Sequence, residues 1–530
     1  MPKIPRLPRL RKNYKNPPMK LTTLTHRVFA ALLLASASAL QLFSPSAFSA
    51  TPSTIADYVA AAPFKMAVPA EPTIPDRTFN LTDYGAVADG QTLNTAAFAK
   101  AIAAVNAAGG GHLIVPQGLW LTGPIHLCSN LDLHLERGAL VLFTPDRAQY
   151  PFINASTSDT KTSLSVSPLI FGKNLQNIAI TGEGIFEGSG EAWRPLKREK
   201  ATDSLWKRFT AVPGSVVETT GKSFMWWPSA EARDGAAHIA SLRKNNKPLD
   251  EQNLLPARDF LRPKMLVLEN CDKILIEGVT VKNSPSFGIN PRDCRDLTLR
   301  NVTVLNEYWA QNGDGIDLSA CRRAIVYKCA VSCGDDGICM KSSGRHADGD
   351  ALLQDIIIAG CTVYHAHGGF SAGSNTDGGM TNILVTDCAY IDTDVGIRIK
   401  SADDRGGLVH DIYIQNIVMR NILNEAILFD SFYADNGPSA APAGRMERIP
   451  EFRDFHLQNI ACNGAATAIK INAGKNSPAH DLNFENITIS ADKGVYMRNA
   501  RNINFTNVRI ITPARPVFDT ANVENFTQKD

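Results

Sequence analysis

Four short polar clusters interrupt an apolar, strand-rich stretch of this chain. They are Asn312-Gly313-Asp314, Gly334-Asp335-Asp336, His367-Gly368-Gly369 and Arg398-Ile399-Lys400. The intervals are 21 residues from Asp314 to Asp335, 32 from Asp335 to His367 and 31 from His367 to Arg398. Residues one turn of a parallel β-solenoid apart lie on adjacent rungs, about 4.8 Å from each other. We therefore expect three carboxylates, an imidazole and two cations to converge on one surface patch.

Three clustered carboxylates suit the hydrolysis of a glycosidic bond. Like charges raise one another's pKa, so such a group costs stability and favours the retention of one proton. Glycoside hydrolysis uses this combination, because it needs a protonated acid at the leaving oxygen and a carboxylate that activates water. Asp335 and Asp336 are adjacent and would point to opposite faces of a regular strand, so we predict a bend that Gly334 and Gly337 permit. An Asp-Asp pair between glycines is also typical of an exposed turn, and the other three clusters favour the catalytic interpretation.

A repeat of strand-like octets surrounds these clusters. The octets recur at intervals of 21 to 43 residues and begin at Ile274, Leu297, Ala324, Ile356, Ile383, Ile412, Phe455, Leu482 and Ile503. The sixth residue of each octet is small and apolar, namely Val279, Val302, Cys329, Cys361, Cys388, Ile417, Ile460, Ile487 and Val508. Such a column fits the interior of a stacked coil, where side chains contact their equivalents above and below. The pattern predicts an all-β fold, a single parallel β-helix, and residues 131–138 and 178–185 follow it too.

The segments outside the repeat have separate predicted roles. Residues 50–76 are rich in Pro and Ala and are predicted to be a linker to a β-helix domain over residues 77–530. Residues 94–108 have an amphipathic pattern, which predicts a helix that caps the first coil. The strand rhythm stops between about 188 and 263, in a basic segment that holds four of the six tryptophans. We predict a partly helical insertion here, which is either a wall of the substrate cleft or a docking subdomain with buried tryptophans.

The N-terminus has the features of an export signal. Residues 1–49 carry eight basic and no acidic side chains, an apolar run from Val28 to Leu40, and then Ala47-Phe48-Ser49. This order is typical of a secretory signal, with Met1 or Met19 as the start, and predicts a periplasmic or secreted protein. The whole chain has 54 Lys+Arg against 52 Asp+Glu, so the part after residue 49 is net acidic. The composition indicates neither a nucleic-acid partner nor a membrane anchor.

The ten cysteines are unusual for an exported chain, where disulfides are common. Cys329, Cys361 and Cys388 fall in the inward column, so we predict that they are unpaired and act as small apolar residues. No Cys-x-x-Cys pair occurs, which argues against a zinc site. We predict no metal and no other cofactor, and the sequence leaves the oligomeric state open.

At the four polar clusters the chain resembles the polygalacturonase family of glycoside hydrolases, family 28. The signatures of that family are Asn-Thr-Asp, Gly-Asp-Asp, Gly-His-Gly and Arg-Ile-Lys, and here they stand as Asn312-Gly313-Asp314, Gly334-Asp335-Asp336, Ala366-His367-Gly368 and Arg398-Ile399-Lys400. The resemblance extends from about Phe79 to the C-terminus and includes an Asp-Tyr-Gly-Ala opening. It implies a right-handed β-helix. Gly313 and Ala366 depart from the signatures, which affects loop geometry and removes no titrating group.

The resemblance also implies a role for each site residue. Asp335 would be the general acid, and Asp314 and Asp336 would position and deprotonate the attacking water, with inversion at the anomeric carbon. His367 would tune the acid, and Arg398 and Lys400 would bind the carboxylate of a galacturonate ring. Second-tier candidates for substrate binding are Asn312, Lys341 and Asn290. The implied partner is pectin or polygalacturonate, and the surroundings of Asp314 and His367 look like the bacterial exo-acting branch.

Three other functions remain open at this point. Rhamnogalacturonan or xylogalacturonan hydrolysis is the nearest alternative within the same chemistry. A pectate lyase would cleave the same polymer by β-elimination with calcium, for which the aspartates are suitable ligands. A non-catalytic carbohydrate-binding solenoid would have no need for a clustered set of acids.

Overall fold

Apolar side chains alternate with polar ones in short runs along this chain, which favours strands with one buried face. The computed structural model describes residues 52–154, 164–221, 223–344, 351–402, 405–433 and 449–530. The predicted leader, residues 1–49, lies outside the described residues. In the described part nearly all strands are parallel and form the coils of a β-helix, as predicted.

Three stacks of parallel strands make up the β-helix. The first stack runs in order through β1 (Thr78–Asn80), β2 (Gly111–Val115), β5 (Leu131–Leu135), β10 (Gln176–Gly182), β16 (Asp272–Glu277), β19 (Arg295–Arg300), β22 (Arg322–Tyr327), β25 (Leu353–Ala359), β28 (Met380–Ile391), β31 (Ile412–Asp430), β32 (Glu451–Asn472), β33 (Ala479–Ser490), β34 (Lys493–Ile511) and β35 (Phe518–Lys529). The longer strands from β28 onward bend and continue into the other stacks.

The second and third stacks complete each coil. The second contains β3 (Gly118–Thr122), β6 (Ala139–Phe143), β11 (Ile185–Glu187), β17 (Thr280–Lys282), β20 (Thr303–Leu305), β23 (Ala330–Ser332) and β26 (Thr362–Tyr364). The third contains β4 (Ile125–His126), β9 (Ile170–Lys173), β15 (Leu266–Glu269), β18 (Ile289–Arg292), β21 (Ile316–Ser319), β24 (Asp336–Lys341), β27 (Gly368–Ala372) and β29 (Ile397–Lys400). Two strands lie beside the coils, namely β7 (Phe152–Asn154) and its antiparallel partner β8 (Leu164–Val166). The short strand β30 (Leu408–Val409) pairs in parallel with β28 and β32 of the first stack.

The strand register matches the predicted octets. Their first residues pair in one unbroken column of Ile274, Leu297, Ala324, Ile356, Ile383, Ile412, Phe455, Leu482 and Ile503. The sixth residues are buried in the core, with the exception of Val508, which is partly exposed. The reason is its position near the end of the solenoid, because the last strand, β35, pairs with β34 only as far as Thr506.

A helix closes the N-terminal end of the stack. We number the helices α1 (Ile55–Ala61), α2 (Thr95–Ala107), α3 (Asp203–Thr210), α4 (Ala230–Lys244), α5 (Glu251–Leu254) and α6 (Arg258–Leu261), with 3₁₀ turns at Leu81–Tyr84, Arg147–Gln149, Gly190–Ala192, Arg198–Lys200 and Leu255–Ala257. Phe98, Ile102 and Val105 of α2 are buried in the core that the first coils share. This burial protects the apolar end of the solenoid from water.

Residues 53–71, predicted to belong to a linker, instead pack on the outer face of the solenoid. Tyr58 of α1 is buried against Tyr327, and its hydroxyl donates to Asp387 Oδ2 at 2.8 Å. Further along, Glu71 forms an ion pair with Arg300 at 2.5 Å. The Pro and Ala content of the segment predicted a linker. Its few large apolar side chains nevertheless cover an apolar patch of strands β22, β25 and β28, which burial stabilises.

The insertion lies between β11 and β15 and contains helices α3–α6. It also holds a small antiparallel sheet of β12 (Leu196–Lys197), β14 (Ser223–Trp227) and β13 (Val216–Thr220). Buried Arg194 anchors it to the solenoid by donating to Ser284 O at 2.5 Å and to Asn283 Oδ1 at 2.6 Å. Trp226 packs edge-on against Phe209 inside the insertion. Both predicted roles therefore apply, since some tryptophans are buried and other side chains reach the pocket described below.

All ten cysteines are free thiols, as predicted for Cys329, Cys361 and Cys388. Nine are buried, and Cys128 alone is partly exposed. Burial raises the pKa of the thiols at Cys294, Cys333 and Cys361, which keeps them protonated and unreactive. We therefore expect a thiol reagent to label at most one cysteine of the native protein, at Cys128, and all ten after denaturation. Peptide mapping by mass spectrometry would check this, and rapid labelling of Cys361 in the native state would contradict it.

Candidate active site

A pocket of about 760 Å³ opens between the third stack and the insertion. Its walls include Asn312, Asp335, His367 and Arg398 from the predicted site. Its volume lies in the usual range for small-ligand sites, roughly 300–1,000 Å³. The remaining predicted residues, Asp314, Asp336, Lys341, Lys400 and Asn290, lie behind these in the wall and do not line the pocket.

The parallel register of β21, β24, β27 and β29 brings the site residues together. Asp317, Cys339, Ser371 and Arg398 occupy one column across the four strands. Asp336 begins β24 opposite Gly368. Since side chains of the same column lie one strand spacing apart, residues distant in sequence become direct neighbours.

The three predicted carboxylates meet, and their surroundings separate them electrostatically. An oxygen of each of Asp314, Asp335 and Asp336 lies within 4.8 Å of the others. Burial raises the pKa of Asp314 well above its usual range, and the negative charges of Asp317 and Asp335 add to this. For Asp336, burial is outweighed by Lys400 and Arg398, which hold the pKa well below its usual range. The raised pKa of Asp314 favours its protonated form, and the lowered pKa of Asp336 favours its anion.

Asp336 is locked in place by the two cations that were predicted to bind substrate. Arg398 Nη1 donates to its Oδ1 at 3.0 Å, and Lys400 Nζ donates to its Oδ2 at 2.7 Å. Ser371 Oγ also donates to Oδ1 at 3.0 Å. Asp336 is 1% exposed and Lys400 is 4% exposed. Both cations thus form ion pairs with a buried carboxylate of the protein, although Arg398 also lines the pocket.

Asp335 is the carboxylate that faces the pocket. Its side chain is 20% exposed, and Oδ1 lies 3.3 Å from His367 Nδ1. Burial acts to raise the pKa of Asp335, but the hydrogen bond from His367 and the charge of Lys400 prevail and lower it. In the free protein the pKa of Asp335 is therefore lower than that of Asp314.

The glycines beside the aspartates serve the predicted bend and a second purpose. The chain bends at Gly334 and Asp335, just before β24 begins, as predicted, although neither Gly334 nor Gly337 has a positive φ. A Cβ at Gly334 would lie 2.6 Å from Ala310 O, and one at Gly337 would lie 2.5 Å from Val363 Cγ1. Glycine is needed at both positions because the neighbouring coil leaves no room for a side chain.

Lys341 and Asn290 belong to a buried polar row behind the pocket. Lys341 Nζ forms ion pairs with Asp317 at 3.1 Å and with Asp314 at 3.5 Å. Asn290 is 1% exposed and binds Lys264 through Oδ1 and the Asp317 carbonyl through Nδ2. Asn290 therefore supports the site from below, and substrate cannot reach it directly.

Several pocket residues were not singled out from the sequence. They are Asp259, Phe260, Arg262, Trp309, Gln311, Asp394, Val395, Asn424 and Tyr433, together with Pro195, Lys197, Lys200 and Trp227 of the insertion. The basic and aromatic composition of the insertion indicated a wall of the cleft. It carried no periodic pattern that could show which side chains face inward.

Lys200 from the insertion contacts the site histidine directly. Its Nζ lies 3.0 Å from His367 Nε2, and a lysine ammonium can only donate. His367 Nε2 must then accept, which places the ring proton on Nδ1, the atom that faces Asp335. Lys200 thus sets the tautomer in which His367 holds the pocket-facing carboxylate.

We expect Lys200→Met to lower kcat by roughly tenfold, which is part of the 10²–10⁴-fold that a positioned proton donor contributes. Without the ammonium, either ring nitrogen can carry the proton and the orientation of His367 is no longer fixed. Steady-state kinetics at saturating substrate would measure this. Lys200→Arg, which keeps a donor, should retain most of the activity, and equal losses in both variants would argue against the tautomer role.

The carboxylates are poorly placed for a divalent cation. Hard carboxylate oxygens suit calcium, but both oxygens of Asp336 already accept hydrogen bonds from Arg398 and Lys400. The two positive charges would also repel a bound cation. The donor set therefore favours proton-transfer chemistry over a calcium-dependent reaction.

Comparisons with known proteins agree with this geometry. Residues 257–515 match the model for "Glycosyl hydrolases family 28". The chain is 29% identical to a "Probable polygalacturonase" of Vitis vinifera, over 74% of this chain and 75% of that protein. It is 26% identical to an "Exo-poly-alpha-D-galacturonosidase" of Dickeya chrysanthemi, over 82% of this chain and 70% of that protein.

A solved structure has the same fold. The hyperthermoactive exopolygalacturonase of Thermotoga maritima superposes with a TM-score of 0.68 at 27% identity, covering 86% of this chain and 95% of that one. The matched family segment contains all four polar clusters, and the matched fold contains the three strand stacks that hold them together. This chain is a glycoside hydrolase and belongs to glycosyl hydrolases family 28.

Proposed function

We propose that this enzyme hydrolyses the α-1,4-galacturonosidic bonds of polygalacturonate, that it removes units from the chain end, and that it inverts the anomeric configuration. The observation that carries the proposal is the division of labour among the three aspartates. Of the three, Asp335 alone lines the pocket, Asp336 is held by Arg398 and Lys400, and Asp314 lies buried behind them with a raised pKa. The names of the similar proteins from Dickeya chrysanthemi and Thermotoga maritima support the substrate and the exo mode.

Asp335 acts as the general acid in this proposal. Its pKa is low in the free protein, but a bound galacturonate brings another negative charge into the pocket, which raises the pKa of a nearby carboxyl group. The proton shared within the cluster can then reside on Asp335 and pass to the leaving oxygen. Asp314, without that proton, and Asp336 hold the attacking water and accept its proton, and His367 keeps Asp335 oriented.

The accessibility of the carboxylates supports the proposed inversion. A retaining enzyme needs a carboxylate nucleophile that touches the sugar. Asp336 is held by Arg398, Lys400 and Ser371, and Asp314 is buried, with a raised pKa. Inverting acids usually stand about 6.5–9.5 Å apart, whereas here one oxygen of each of the three aspartates lies within 4.8 Å of the others. The third carboxylate compensates, because two anchored acids can position one water without standing far from the general acid.

The insertion supports the exo mode. Lys197, Lys200, Trp227 and Arg262 are insertion or boundary residues that line one wall of the pocket. A wall at one side of the cleft favours binding of a chain end over the middle of a chain.

One assay tests the proposal. The protein without its leader is incubated with polygalacturonate in the presence of a chelator, and reducing ends, ultraviolet absorbance and product size are followed together. Reducing ends without unsaturated products, with monomer or dimer as the only small product, would support it, and proton NMR of the first product would give the anomeric configuration. Unsaturated products or dependence on calcium would contradict it in favour of a lyase. Activity only on rhamnogalacturonan or xylogalacturonan would redirect the substrate assignment.

We also propose that the enzyme is exported by its N-terminal leader. The basic and apolar residues before Ala50 support this, and no helix in the described residues is long and apolar enough to cross a membrane. N-terminal sequencing of the protein recovered from each cell fraction would test export and locate the cleavage site.

A further inference from the structure

The pocket carries positive charge that its own acids do not neutralise. Four cations line it, namely Lys197, Lys200, Arg262 and Arg398. Arg398 is paired with Asp336, and Lys200 is bound to His367. Lys197 and Arg262 have no ion pair with any residue that the structure describes. They lie at the two ends of the insertion, one in β12 and the other just after α6.

Arg262 is built into the wall by its neighbours. Its Nη1 donates to the Gln311 carbonyl at 2.8 Å, and its Nη2 donates to Asn312 Oδ1 at 2.8 Å. Both partners are neutral acceptors beside the first polar cluster, so they orient the guanidinium without forming an ion pair with it. Burial lowers the pKa of Arg262 to about 10, with Asp314 and Asp335 acting in the opposite direction, so it stays charged at neutral pH.

The backbone of Arg262 is strained in a way that is common at functional sites. Its φ is +32°, in the region that favours glycine. A non-glycine residue in such a conformation costs on the order of 1–3 kcal/mol and persists only where the surroundings hold it. Here the cost places an arginine side chain against the pocket at the point where the insertion rejoins β15.

Lys197 supplies the second charge. It is partly exposed, its strand pairs with β14 through Met225, and its side chain lines the same pocket. No hydrogen bond or ion pair joins its ammonium to any residue in the described part of the chain. An unpaired lysine is free to meet an anionic ligand as a point charge.

We propose that Arg262 and Lys197 determine specificity by binding the carboxylate of a galacturonate unit in the pocket. Arg398 and Lys400 both bind Asp336, and only Arg398 of the two also lines the pocket, so the insertion adds charge that can recognise the acid group of the sugar. Arg262 presents a planar fork that suits a carboxylate, and Lys197 adds long-range attraction. This inference rests on the proposed function, because it assigns the acid group of that substrate.

The test compares an acidic substrate with its neutral counterpart. For the wild type, kcat/KM is measured on trigalacturonate and on its methyl ester, and the ratio of the two values is the selectivity for charge. We expect Arg262→Gln to lower this ratio by about 10- to 100-fold and Lys197→Met by a few-fold, because their loss affects only the charged substrate. Lys207→Met removes an exposed cation of α3 that does not line the pocket and should leave the ratio unchanged.

Two further measurements separate this proposal from its alternatives. Arg262→Lys keeps the charge and should restore part of the ratio, which a merely structural role would not predict. An equal loss on both substrates in Arg262→Gln, together with an unchanged ratio in Lys197→Met, would overturn the proposal. The assignment of polygalacturonate itself fails separately, if the wild type cleaves neither trigalacturonate nor the polymer.

Discussion

Replacement of Asp335 by asparagine is expected to lower kcat by roughly 10²–10⁴-fold, the contribution of a positioned proton donor. Asparagine has the same shape but cannot donate a proton to the leaving oxygen. Asp335 is also the acid of the cluster that faces the pocket. The dissociation constant for trigalacturonate should change little, because the cations of the pocket remain. Turnover and equilibrium binding, measured on the same preparation, would test both parts.

Asp394→Asn is the matched control for this variant. Asp394 lines the same pocket, and its Oδ2 lies 3.7 Å from His367 Nε2, but it does not belong to the carboxylate cluster. We expect a much smaller loss of kcat in this variant. Near-normal activity of Asp335→Asn, in a protein shown to be folded, would sink the assignment of the general acid.

Replacement of Asp336 by asparagine is expected to affect both stability and activity. The change leaves the charges of Arg398 and Lys400 without their counter-ion in a buried place. Removal of one partner of a buried ion pair typically costs about 3–5 kcal/mol. We expect a loss of this size in the free energy of unfolding, measured in denaturant at neutral pH, and no measurable turnover.

The pH dependence of this loss has a definite sign. Because the folded pKa of Asp336 lies well below its usual value, its ion pairs stabilise the protein above the unfolded pKa of about 3.9. That contribution disappears as the pH falls through the folded value. The difference in stability between wild type and Asp336→Asn should therefore be full at neutral pH and shrink below about pH 4.

A double variant checks the cause of the destabilisation. Asp336→Asn combined with Lys400→Met removes one of the unmatched charges, so part of the lost stability should return while activity stays absent. The destabilisation caused by Lys400→Met is measured in the wild type and in Asp336→Asn. If it is the same in both, the two residues do not interact.

The repeat in the sequence was enough to determine the course of the solenoid. Side chains that pack inside stacked coils must be apolar at each turn. The sequence of every coil therefore contains the same apolar pattern, which can be recognised without the structure. The nine octet starts therefore predicted the register of the first stack, and the register in turn brought Asp314, Asp335 and His367 together. The same reasoning failed at residues 53–71, because a strap held by a few apolar side chains has no period.

The roles of individual charges were decided only by the tertiary structure. A sequence shows that Arg398 and Lys400 share a strand face, but not that both point at Asp336. The basic insertion indicated a wall of the cleft, but not that Lys200 and Arg262 are the residues that reach the pocket, because the path of the insertion depends on contacts such as that of Arg194 with the distant Ser284. Packing in a solenoid repeats the same contact between neighbouring coils, so a repeated sequence pattern is enough to predict it. Ion pairing depends on distances of a few ångströms between segments far apart in the chain, and only the folded arrangement determines those distances.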